Sequence, residues 1–109
     1  MSDYNSRRVS EAELTVVEAL WDAPRALTAK ELQDTLKETR GWERTTVRTM
    51  LTRLAEKGTV LVDKSDVALY SAAFPREEYA WDLTEVLVAR LYDGDATRLT
   101  AALKEHGCL

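Results

Sequence analysis

Leu14, Val17, Leu20 and Trp21 recur at helical spacing behind Ser10, and Glu13 stands three residues after that serine. A hydroxyl residue followed three positions on by a carboxylate lets each side chain take one of the N–H groups that a helix start leaves unpaired, so the spacing predicts a first helix from about Glu11 to Trp21. Thr28 and Glu31 repeat the signal ahead of Ala29, Leu32 and Leu36. Gly41 then stands where a helix end favours a left-handed residue, which gives a second helix ending near Thr39. A third helix follows Trp42 and Glu43 and runs from Arg44 to Lys57, with Val47, Leu51 and Leu54 as its buried stripe and Gly58 as its close. The pattern next becomes β-rich: Thr59–Lys64 and Val67–Ala72 flank Ser65-Asp66, and branched residues around a turn dipeptide predict a hairpin. Phe74-Pro75 opens another helix carrying Leu83, Val86, Leu87, Ala89, Arg90 and Leu91, which Asp93-Gly94-Asp95 breaks. A last helix from about Ala96 to His106 sets Leu99, Ala102 and Leu103 on one face before Gly107.

Three helices and then a hairpin is the order of a winged helix-turn-helix. The expected fold is therefore mainly α with a small β-hairpin, a winged helix followed by a short helical dimerisation region. At 109 residues the chain has room for one core with an appendage. The division expected is 6–73 for the winged helix and 74–109 for the helices after it. Two amphipathic helices cannot enclose a core of their own, so their apolar faces need a partner, and a second copy of the chain is the simplest one. Trp81 is a candidate for that interface, whereas Trp21 and Trp42 flank the apolar stripes and are expected in the core.

The formal net charge of −4 argues at first against nucleic acid. Its distribution changes the picture. Residues 1–64 carry 11 basic and 11 acidic side chains, whereas 65–109 carry 4 and 8, so the acid lies mostly in the second part. Along the third helix Arg44, Arg48, Arg53 and Lys57 outnumber Glu43 and Glu56.

With successive residues about 100° apart, Thr45, Arg48, Thr49 and Thr52 share the face opposite Val47, Leu51 and Leu54. Threonine is a mediocre helix former, so several on one exposed surface are poorly explained by folding alone. Contact with DNA explains them: arginine grips guanine O6 and N7 with two hydrogen bonds, and short hydroxyls and methyls reach phosphates or base edges without holding the helix off the groove floor. The same face on an isolated helix would read as ordinary solvated surface. Its place before a hairpin favours recognition. Candidate DNA-binding residues are thus Arg44, Thr45, Thr46, Arg48, Thr49 and Thr52, with Arg53 and Lys57 farther along the helix and Lys64 on the hairpin as phosphate contacts. Thr28 joins them at the start of the second helix, where N–H groups and the dipole favour an anion, although the residue reads first as a plain cap.

Enzymatic chemistry finds no support. There is no glycine-rich phosphate loop, and the only histidine, His106, lies near the end with the only cysteine, Cys108. Those two side chains make a metal site only with ligands from elsewhere, so no cofactor is expected. A single cysteine, a polar start without a secretory stretch and the lack of a long apolar run suit a cytoplasmic protein with no membrane insertion.

Ser10-Glu11-Ala12-Glu13-Leu14 through Leu20-Trp21, Leu27-Thr28-Ala29 with Glu31-Leu32, Trp42, Thr46 to Leu54 and Lys57-Gly58 together resemble the penicillinase repressor family, the BlaI/MecI group with its copper-responsive relatives. The resemblance spans nearly the whole chain, and the Thr-x-Arg-Thr-x-x-x-Arg-Leu-x-x-Lys-Gly pattern from Thr46 to Gly58 is its most specific part. It implies a homodimeric winged-helix repressor of β-lactamase or related stress genes, relieved when a sensor triggers proteolysis in the dimerisation region. Thr46, Arg48 and Thr49 would then read the operator, with Thr45 where these repressors often carry lysine. Three departures accompany it. The final helix is expected to be shortened, since the chain stops at Leu109; Ala102-Leu103 stands in place of the family's Asn-Phe cleavage bond; and the paired Cys-x-Cys motifs of the copper-responsive members are absent. The reading is a dimeric repressor on a pseudo-palindromic stretch of double-stranded DNA, with a regulatory protease or sensor as a further partner. The competing reading is a winged-helix module that binds protein and has no DNA site of its own.

Overall fold

Both hydroxyl-to-carboxylate spacings close as reciprocal caps. In the computed structural model, which describes residues 8–109, Ser10 Oγ accepts the Glu13 N–H at 3.1 Å and Glu13 Oε1 accepts the Ser10 N–H at 2.8 Å, opening α1 (Glu11–Asp22). Thr28 and Glu31 do the same for α2 (Ala29–Arg40), which Gly41 ends at φ 68°. Then come α3 (Arg44–Lys57), β1 (Val60–Asp63), β2 (Leu69–Ala72), α4 (Arg76–Leu91) and α5 (Ala96–Glu105).

The chain forms two compact units, whose described parts are Arg8–Arg76 and Glu77–Leu109. In the first, Val16, Val17 and Leu20 of α1, Leu32 and Leu36 of α2, Val47, Leu51 and Leu54 of α3, and Val60 of β1 make a single core. Trp21 and Trp42 pack at its edge. The buried stripe of α3 is the expected one, but that of α1 is turned: Val16 is fully buried, Leu14 is half-buried and Glu13 is buried with the core residues. A carboxylate can occupy that place because its oxygen is held by the Ser10 N–H and by Lys57 Nζ at 2.8 Å.

Gly58, at φ 76°, lets α3 end in a left-handed residue and turn directly into the hairpin, with the Thr59 N–H closing on the Leu54 carbonyl at 3.0 Å. The strands are antiparallel in the register Val60↔Ala72 to Asp63↔Leu69. Both are shorter than the sequence runs, and the connection is the stretch 64–68 where Ser65-Asp66 alone was expected. The cause is local: Asp63 Oδ1 accepts the Ser65 N–H at 3.0 Å, which bends the chain out of the ladder one residue after pairing stops. Leu27, between α1 and α2, exchanges backbone hydrogen bonds of 2.9 and 2.7 Å with Tyr70, adding a bridge to the outer edge of the hairpin.

In the second unit, α4 buries Tyr79 and Asp82, while Leu83 and Leu87 lie at the border of exposure and Trp81 and Leu91 are 61% and 74% exposed. No residue of α5 is fully buried; Asp95 caps it by accepting the Thr97 N–H at 2.9 Å. Among the described residues no helix is long and apolar enough to cross a membrane, and no group of three or more His, Cys, Asp or Glu side chains is arranged to hold a metal ion.

Candidate nucleic-acid interface

Burial of Val47, Leu51 and Leu54 turns the opposite face of α3 to solvent and fixes its rotation. Arg44, Thr45, Arg48, Thr49, Thr52 and Arg53 are exposed on it, and Thr46 is half-buried at its margin. Unlike α1 and α2, α3 begins without a side-chain cap, Glu43 making none, so an arginine and uncapped N–H groups stand at the same end. Among the described residues the side chains of Arg44, Arg48, Arg53 and Lys64 make no ion pair or hydrogen bond. Among the described residues no carboxylate pairs with these charges.

Two depressions organise the surface. Arg48 and Thr52 of α3 and Lys64 beyond β1 line one of them together with Tyr70 and Glu56. Thr45, Thr46, Thr49 and Arg53 line the other with Met50. The first depression is therefore shared by the helix and the hairpin, with residues distant in sequence contributing to it. Tyr70 and Glu56 were absent from the expected set. Glu56 was legible as the position one turn beyond Thr52, but Tyr70 was not, because its place beside α3 depends on the packing of the hairpin against residues far away in the chain.

The threonines are conditioned by their own helix. Thr49 Oγ1 donates to the Thr45 carbonyl at 2.9 Å and Thr52 Oγ1 donates to the Arg48 carbonyl at 3.1 Å. With the hydroxyl hydrogens turned inward, these side chains offer a methyl and an acceptor lone pair. That suits a thymine methyl or a base amino group better than a phosphate oxygen.

Two expected contacts are placed differently. Lys57 is held within the chain: its ammonium donates to Glu13 Oε1 at 2.8 Å and to the Arg8 carbonyl at 3.3 Å, bracing the end of α3 against the start of α1. Burial raises the Glu13 pKa, but the Lys57 and Ser10 hydrogen bonds outweigh it and hold the carboxyl below its ordinary value. Thr28 is occupied as a cap, and its partner Glu31 is bound by Arg25, whose hydrogen bond is the leading cause of lowering the Glu31 pKa to about 2. An anion approaching α2 there would meet a permanent carboxylate.

A family model described as penicillinase repressor matches residues 9–108. The chain belongs to the penicillinase repressor family. By that membership it is a DNA-binding transcriptional regulator, not an enzyme. The solution structure of the DNA binding domain of the repressor BlaI is similar to this repressor with a TM-score of 0.59 at 28% identity, covering 72% of this chain and 94% of that one. The solution structure of the monomeric form of Bacillus licheniformis BlaI in complex with the blaP half-operator gives 0.57 at 30% identity, covering 66% of this chain and 88% of that one. No curated protein sequence matches.

Proposed function

We propose that this repressor acts in the cytoplasm as a homodimer on a pseudo-palindromic operator, each α3 lying in the major groove of one half-site. The observation that carries the reading is Arg48, without an ion pair among the described residues, beside Thr52 and Lys64 in a depression shared by α3 and the hairpin. Arg48 reads a guanine edge, Thr45, Thr46, Thr49 and Thr52 make close base or sugar contacts, and Arg44, Arg53 and Lys64 bind backbone phosphates. A relative of similar fold was solved on a half-operator, which supports the assignment of DNA as the partner. The exposed Leu83, Leu87 and Leu91 edge of α4, with Trp81, is the surface assigned to the second copy. On this reading 74–109 serves dimerisation and 6–73 serves DNA, and the genes controlled are those of β-lactamase or related stress responses. A sensor or regulatory protease relieves repression; Ala102-Leu103 is not proposed as the bond cut.

A gel shift of the chain on its own upstream DNA at several salt concentrations tests the reading. Six neutralised phosphates give a log–log slope of about −5, so affinity falls steeply as salt rises. Leu87→Glu is expected to leave a monomer that occupies half-sites only. Absent or salt-insensitive binding would favour a protein partner instead.

A further inference from the structure

The two depressions on α3 differ in chemistry. The one shared with the hairpin carries Arg48, Lys64 and Glu56, whereas the one along the opposite flank is lined by Thr45, Thr46, Thr49, Met50 and Arg53. Met50 packs against the core and, half-buried, also contributes to that lining. An apolar thioether there gains nothing from water and is stabilised only when a partner covers it with apolar atoms.

Thr49 sets what stands beside the thioether. Its Oγ1 donates its hydrogen to the Thr45 carbonyl at 2.9 Å, so the side chain has no donor left for a phosphate or a base acceptor, and its methyl becomes the main group on offer. Arg53 lines the same depression without an ion pair among the described residues, which complements the backbone phosphates flanking any base held there. On the major-groove edges of the four bases the apolar group is the C5 methyl of thymine. A cytosine methylated at C5 presents the same group. We infer that Thr49 and Met50 form a seat for a pyrimidine C5 methyl, so that the repressor distinguishes thymine from uracil and responds to cytosine methylation at the position the seat covers. The inference rests on the DNA-recognition reading of α3 proposed above and names the group that this flank recognises; it is independent of how many copies bind.

The test uses the full chain and a duplex that it enriches from a randomised pool, with each thymine in turn replaced by uracil. That change removes the methyl and keeps every hydrogen-bonding group of the base. Burying one methyl against apolar atoms corresponds to about fourfold in affinity, so at least one thymine of each recognised half-site should show a loss of about that size. Cytosine placed at that position should bind more tightly by a similar factor once its C5 is methylated. Met50→Ala and Thr49→Ser should each shrink the thymine–uracil difference there. Thr49→Ser is an exposed change that keeps the hydroxyl and removes the methyl alone, and it should bind the uracil duplex as the wild-type chain does. Uracil tolerated at every thymine, or a difference that both variants leave intact, overturns the seat while DNA recognition by α3 stands. Enrichment of no sequence over random duplex would overturn the recognition reading and the seat together.

Discussion

Replacing Lys57 with methionine removes the ammonium that answers a carboxylate buried at the start of α1. Glu13's side chain is 5% exposed and its second oxygen, Oε2, is buried with no hydrogen-bond partner among the described residues, whereas the lysine side chain keeps 38% exposure. A hydrogen bond between charged groups is worth about 1.5–3 kcal/mol. Discounting for solvent at the lysine end leaves an expected loss of about 1–2 kcal/mol, read by urea unfolding followed by tryptophan fluorescence near neutral pH. The Glu13 pKa is lower folded than unfolded, so the pair's contribution is complete above the unfolded value and disappears as pH falls through the folded one. The Lys57→Met penalty should therefore shrink on acidification. Lys57→Met with Glu13→Gln should cost less than the sum of the two single changes, because the double variant leaves no buried carboxylate unanswered, as Lys57→Met alone does. The salt slope of DNA binding should not change. Unaltered stability together with a slope reduced by about 1 would refute the reasoning and make Lys57 a phosphate ligand.

Lys64→Ala should show the opposite behaviour, with stability unchanged and the salt slope of binding reduced by about 1, measured by fluorescence anisotropy of labelled duplex across a salt series. The Glu31 side chain, followed by carbon-detected NMR, should titrate at about 2, and Arg25→Gln should move it back toward 4.5; below the folded value the carboxylate is neutral and the Arg25 pair is lost.

The third helix was the most legible part of the sequence because its solvent face, its stripe and its closing glycine are all local signals, and Val47, Leu51, Leu54 and Gly58 act as their spacing indicates. The caps at Ser10 and Thr28 were equally local. What escaped depends on residues far apart in the chain. Glu13 read as a cap and nothing more, since its burial requires Lys57, a partner 44 positions on. Trp21 was expected in the core but not as a donor to Phe74, 53 positions away, so the tie that carries Phe74–Arg76 with the first unit was invisible. Among the candidate contacts, the sequence named charges and hydroxyls without showing which were already taken. Lys57 and Thr28 have partners within the chain, whereas Arg48 and Lys64 have none among the described residues.

Arg48→Ala tests the central claim most directly. On a duplex enriched by the wild-type chain, the variant should lose about 1–3 kcal/mol, roughly 5- to 150-fold, and tolerate any base at one position of each half-site, while its affinity for random duplex at the same salt falls only a few-fold. Equal loss on both duplexes, with base preferences unchanged, would contradict the assignment of this face of α3 to sequence recognition.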